Sequence, residues 1–205
     1  KTIEEIYGEL GERINPIESW DKEIKKEFNI KEEDKNLTIT PGLTVLKSMM
    51  LELTQASSGN DVILMILRLA SEIMPRGIVF AIKNNKLFGL GQFGLEKFIE
   101  APQRVVKTLV FDIKDKIKEI MDLQLPYKGK PENEDFFIEL YKKIGGDYPT
   151  EVFLSVVTAG EKPVILFYGD NLPHKKPIED TDALEIFLTQ SGITMERLLL
   201  EKKVK

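Results

Sequence analysis

Arg76 and Asp170 are the charged residues of this chain whose settings suggest more than solvation. Arg76 follows a strongly apolar helical stretch and stands at the entrance to Gly77–Ile82, GIVFAI. A guanidinium there either pairs with a carboxylate, Glu72 or Asp170, or offers its planar fork of donors to an anionic ligand or partner. Asp170 follows Gly169 at the end of KPVILFYG. Its carboxylate can accept the backbone N–H groups of a turn or touch a ligand. Phe88, Phe93, Phe111, Tyr127 and Phe136 complete a candidate ligand-binding set. Each of these rings either lines a cavity or fills ordinary core. Lys128 and Lys130 flank Tyr127, where they either attract an anion or are simply solvated.

Other chemistry is poorly supplied. The chain has no cysteine, which removes thiolate nucleophiles, disulfides, iron–sulfur ligation and thiolate zinc sites. It has one histidine, His174, in a polar Pro-His-Lys-Lys stretch, which argues against a histidine metal site, a serine–histidine machine and haem ligation. No two carboxylates can be assigned as acid and base, so no catalytic residue, no metal ligand and no cofactor is named. The glycine-rich run GLGQFG lacks both the preceding parallel strand and the Gly-Lys-Ser/Thr that give a phosphate loop its meaning. With 29 basic and 34 acidic residues the formal net charge is −5, which disfavours nucleic acid. His174–Lys176 is too small a basic spot to reverse that. No apolar run approaches the length of a membrane span, so none is expected.

The elements that position Arg76 and Asp170 are two hairpins. Gly77–Ile82 turns at Lys83–Lys86 and returns as Leu87–Gln92. Glu151–Ala159 turns at Gly160–Glu161 and returns as Lys162–Gly169. Both pairs are rich in β-branched and aromatic residues around short polar links. Val164–Tyr168 is apolar at consecutive positions, so both its faces are expected to be covered, as in the middle of a sheet. Arg104–Phe111, RVVKTLVF, is expected as a further strand. Gly89, Gly91 and Gly94 are expected to allow close backbone approach or unusual dihedrals.

Helices fill the rest. Leu43–Ala56 and Asp61–Met74 carry broad apolar stripes, with Ser58 or Asn60 as the cap of the second. Lys114–Met121 is expected as a short helix, Leu125–Pro131 as a loop, and Glu132–Ile144 as a helix ended by Gly145–Gly146. A polar loop then leads to a last helix capped by Asp180, with a break or bend at Gly192. Its stripe of Leu184, Phe187, Leu188, Met195, Leu198 and Leu199 is core first, and a shared dimer seam second. Residues 1–41 hold seven basic and eleven acidic residues and are expected to form a helical linker or extension before the domain at 42–205. The whole is α+β: a five- or six-stranded antiparallel sheet, terminal helices on one face, short helices and loops of residues 94–146 on the other. A ligand cavity would form on the second face.

Ile66–Ile73 (ILRLASEI), Pro75–Ile82 (PRGIVFAI), the KLFGLGQFG run and Val164–Asn171 (VILFYGDN) together resemble the GAF domain superfamily over about residues 43–200. The likeness is to the divergent GAF-like domains of bacterial multidomain signalling and response-regulator proteins, often joined to modules of the PATAN (DUF4388) type. The resemblance implies a sheet of order 2-1-5-4-3 and terminal helices that form a homodimer and pass a signal. It also implies further domains in a longer cytoplasmic protein, and a regulatory rather than catalytic role with a possible small-molecule ligand. The cyclic-nucleotide motif of some relatives has no match here, and the cysteines of bilin-binding and sulfoxide-reducing relatives are absent. A protein-interaction domain without small ligand is the first alternative, and an enzyme of unrecognised type the second.

Overall fold

A computed structural model describes residues 41–132 and 134–204. Apart from Pro41, the expected helical linker over residues 1–41 lies outside them. Two helices come first: α1, Pro41–Thr54, and α2, Gly59–Ile73. Ser58 caps α2. Its Oγ accepts from the Asp61 N–H at 3.3 Å, and the Asp61 carboxylate accepts from the Ser58 N–H at 2.9 Å. Both bonds satisfy groups that a helix start leaves open. Asp61 also takes the Ser57 hydroxyl, which holds its carboxyl below the usual range. Ser58→Ala is expected to lower stability by about 0.5–2 kcal/mol, read as the shift in a urea unfolding midpoint.

The sheet has six strands: β1, Arg76–Lys83; β2, Lys86–Phe93; β3, Val110–Asp112; β4, Tyr127–Gly129; β5, Val152–Ala159; and β6, Lys162–Asp170. Their order is β3-β2-β1-β6-β5-β4, with every pair antiparallel. Strand β6 sits between β1 and β5, as its two apolar faces demand. Leave out β3, and the remaining strands run in the 2-1-5-4-3 order that the resemblance implies.

Two expectations about the sheet's edges are corrected. The stretch 104–111 is not one strand: α3, Pro102–Val106, is a short helix, and only Val110–Asp112 joins the sheet, on β2. Pro102 presets a helical start, and Val106 is buried, so packing overrides the strand preference of the two valines. The close approach of α3 needs Gly89, because a Cβ there would lie 2.0 Å from the Val106 carbonyl oxygen. At the other edge, the stretch expected as a loop contains β4, three residues between prolines. A strand that short carries too little periodicity to be seen in sequence.

The sheet separates two cores. On one face, Val79, Phe153, Ile165 and Phe167 pack under α1, α2 and the last helix, α6, Asp182–Val204. On the other, Ile78, Phe80, Leu154, Leu166 and Tyr168 meet α3, α4 (Asp115–Leu123) and α5 (Asp135–Ile144). Gly145 ends α5 with φ 70°, and its N–H donates to the Tyr141 carbonyl. Asp180 accepts from the Asp182 N–H at the start of α6 at 2.9 Å. The helix then runs unbroken through Gly192, so the expected break there does not occur. Arg197 of α6 donates to the carbonyls of Thr54 and Ala56, both at 3.0 Å, closing the end of α1.

Candidate functional site

The register of the two central strands sets Arg76 opposite Asp170. Both are completely buried, on the loop-rich face of the sheet. Arg76 Nε donates to Asp170 Oδ1 at 2.8 Å and Oδ2 at 2.7 Å. Asp170 Oδ2 also accepts from the Tyr168 hydroxyl at 2.5 Å, and Oδ1 from the Leu172 N–H at 3.0 Å. The carboxylate therefore serves both as partner of the guanidinium and as the acceptor that forms the turn after β6. Of the two partners expected for Arg76, the chain uses Asp170.

The rest of the guanidinium is held from the α5 side. Arg76 Nη1 donates to the Gly145 carbonyl at 3.0 Å, and the Phe98 ring covers its Cζ at 4.8 Å. Arg76 Nη2 has no hydrogen-bond partner among the described residues, nor has the buried Tyr141 hydroxyl. Burial raises the pKa values of Tyr141 and Tyr168. It also raises that of Asp170, with the Arg76 charge opposing. Nothing in the sequence singles out Tyr141 and Phe98. Tyr168 stands two residues before Asp170 on one strand, and so on the same face; that spacing could have found it.

The aromatic candidates divide. Phe111 and Phe136 lie on the same face as Arg76 and pack edge to face with centroids 5.2 Å apart. Each also meets Phe80, at 6.0 and 6.2 Å. Tyr127 borders this core, donates its hydroxyl to the Lys130 carbonyl at 2.6 Å and carries the Lys116 ammonium over its ring. Phe88 and Phe93 lie elsewhere. Phe88 pairs with Ala81 on the face towards α6, and Phe93 packs in the core beneath the terminal helices. They cannot line one site with Arg76. Phe88 faces Ala81 and Phe93 faces Gly77, both β1 positions on the side opposite Arg76. The two are five residues apart and share a face only because of a bulge opposite Val79–Phe80, where Val79 faces Gly91, Phe80 faces Gly89 and Leu90 is extra. Lys128 donates to the Glu179 carbonyl at 2.8 Å and is not poised for an anion.

Beside Phe111 and Phe136 opens a cleft of about 120 Å³, rimmed by Asp112, Asp115, Glu134 and Glu139. Burial raises the Glu134 pKa, while its carboxylate takes the Lys116 N–H. Among the described residues no group of three or more His, Asp or Glu side chains could hold a metal ion. Among them, too, no helix is long and apolar enough to cross a membrane.

No protein-family model and no curated protein matches the sequence. Solved structures do. The GAF domain of a phosphoenolpyruvate-protein phosphotransferase from Coxiella burnetii superposes with TM-score 0.60 at 10% identity, covering 82% of this chain and 97% of that one. A GAF domain/HD domain protein from Geobacter sulfurreducens gives TM-score 0.57 at 11% identity, over 72% of this chain and 98% of that one. The phycocyanobilin-bound GAF domain of a cyanobacterial phytochrome gives 0.56 at 9%, over 78% and 96%. The fold is thus that of GAF domains. At such identities the likeness speaks for the fold alone.

Proposed function

We propose that this chain is a non-catalytic regulatory module of a longer, cytoplasmic bacterial signalling protein, of the PATAN-associated GAF-like kind. It takes a small ligand or partner on its loop-rich face and signals through its terminal helices. One observation carries the reading. Tyr168 and Asp170 of β6 build the buried cluster on one face, while Ile165 and Phe167, at the alternate positions of the same strand, support the terminal-helix core on the other. A shift of this single strand moves both layers, which is what a two-state coupling element requires.

The output side is a homodimer seam. Ile186, Ile193 and Leu200 recur every seven residues on α6 and are 53%, 55% and 54% exposed. Val45 and Leu51 of α1 add to the exposed apolar surface. A seven-residue apolar repeat is the pattern by which helices pair. Native mass spectrometry of freshly purified protein is expected to show two subunits, and a mass excess from retained ligand. A bare monomer would remove the proposal. Ile193→Lys is expected to give a monomer with unchanged secondary structure, measured by light scattering and circular dichroism.

The aromatic packing of Phe80, Phe111 and Phe136 favours one other reading, a dimerisation or interaction domain without small ligand. It predicts the dimer without the mass excess.

A further inference from the structure

We infer that the unpartnered donors of Arg76 and Tyr141 form a subsite for the carbonyl oxygen of a small uncharged molecule, with Phe98 as its gate. The inference rests on the loop-rich face being the ligand face. It begins from an imbalance. What remains open in this buried cluster is the two N–H groups of Arg76 Nη2, which can only donate, and the Tyr141 hydroxyl, which can donate or accept. Asp170 cannot serve them, since each of its oxygens already accepts twice, from Arg76, Tyr168 and the Leu172 N–H. Buried donors without acceptors are uncommon in folded proteins and point to an occupant.

Charge decides the occupant's class. The Arg76–Asp170 pair is already formally neutral and wholly buried. An anionic ligand would leave the cluster with a net negative charge out of reach of water, a larger cost than the hydrogen bonds return. Glu96 and Glu100 on the segment above add to that cost. A neutral oxygen acceptor adds bonds and no charge.

Access runs past Phe98. Its ring lies over the guanidinium and also walls an open hollow of about 470 Å³ formed by residues 96–102, with Ile99, Ala101 and Pro102 as apolar lining. Phe98 is thus the residue that touches both that hollow and Arg76. Gly145 and Gly146 hold positive φ beneath it, and a Cβ on Gly146 would lie 2.9 Å from the ring and 3.2 Å from Arg76 Nη1. Only backbone fits under the ring at Gly146, while Phe98 itself is half-exposed, with one side towards the hollow. Ligand carbonyl on Arg76 and Tyr141, apolar remainder in the hollow, is the resulting pose.

Acetamide and acetate, equal in shape and different in charge, test this on the intact protein. The readouts are the Arg76 Nε–H and Tyr141 ring signals in NMR titrations. Acetamide is expected to shift both saturably. Phe98→Ala should tighten it about two- to fivefold, the weight of the lost cation–π contact. Tyr141→Phe should weaken it about two- to tenfold, the weight of one hydrogen bond. Tyr141→Phe removes an oxygen with no partner, so the fold should survive it. Acetate binding while acetamide does not would overturn the assignment. So would silence of the Phe98→Ala variant towards acetamide, including the case where a fixed water fills the site. If purified protein nonetheless retained a ligand, the regulatory reading would stand and this subsite would fall.

Discussion

Asp170→Ala is expected to destabilise the domain by about 3–5 kcal/mol, the cost of leaving a buried charge without its partner. The loss is large because Asp170 answers several groups at once. Arg76 would keep its cation in a fully buried place with only the Gly145 carbonyl to accept from it. The Tyr168 hydroxyl and Leu172 N–H would be orphaned beside it. A triple variant, Arg76→Met with Asp170→Leu and Tyr168→Phe, removes the cation and the hydroxyl together. It should therefore be more stable than Asp170→Ala alone, although three residues change instead of one. Urea unfolding of the two variants checks the order. A triple variant below the single one would show that the cost of Asp170→Ala does not come from leaving the Arg76 cation and its neighbours unpaired.

The pH dependence of that penalty has a defined sign. Burial raises the Asp170 pKa, and Arg76 offsets part of it. A carboxyl raised in the folded state keeps its proton to higher pH there than in the unfolded chain. Its contribution is thus greatest below the unfolded value of about 3.9, and declines as pH rises through the folded value. The gap between wild type and Asp170→Ala should be wider at the acid end of this window than at neutrality. Asp61 runs the other way: its pKa is lowered, so the stability it adds is lost as pH falls through its folded value.

How much of this could be seen in the sequence depends on which physical signal each part leaves. The centre of the sheet shows itself because β6 must be apolar on both faces, and only an interior strand needs that. The edges hide. Strand β4 is three residues long, and α3 owes its shape to Pro102 and to a tight seat on Gly89, contacts between segments far apart in the chain. Arg76 and Asp170 stand out because charges next to apolar strands need partners. Their pairing follows from β1 and β6 being neighbours, which is topology and not local pattern. Phe88 and Phe93 are aromatic residues that their type alone does not assign to a face. Five residues apart, they would lie on opposite faces of an unbroken pleat, and the extra Leu90 brings both to the face away from Arg76. Tyr141 sits on the apolar stripe of α5 and looks like any core residue of an amphipathic helix. Its hydroxyl becomes significant only when the opposing strand is in place.

Gly192→Ala separates two opposite expectations. A glycine in the middle of a 23-residue helix should be a weakness, and alanine there should gain about 0.5–1 kcal/mol from helix propensity. The packing says the reverse. A Cβ at Gly192 would lie 2.1 Å from the Thr158 carbonyl oxygen and 3.3 Å from Val157 Cγ1. Neither the oxygen nor the strand carrying it can swing aside like a side-chain tip, so α6 must lift from β5. Overpacking of this kind costs about 1–3 kcal/mol, which exceeds the propensity gain over most of its range. Net destabilisation is the expected result. Gly59→Ala is the control, since a Cβ there meets nothing within 4 Å and should leave stability unchanged or slightly improved. The displacement has a consequence for output as well. Thr158 lies opposite a bulge at Val164 of β6, and α6 carries the proposed seam of Ile186, Ile193 and Leu200, so lifting the helix would move that seam relative to the sheet. Gly192→Ala should therefore weaken the dimer as well as the fold, measured by light scattering over a dilution series at a temperature where the variant remains folded. A variant that gained stability and kept the dimer would mean that α6 rides above β5 without touching it, and the sheet would lose its mechanical connection to the terminal helices.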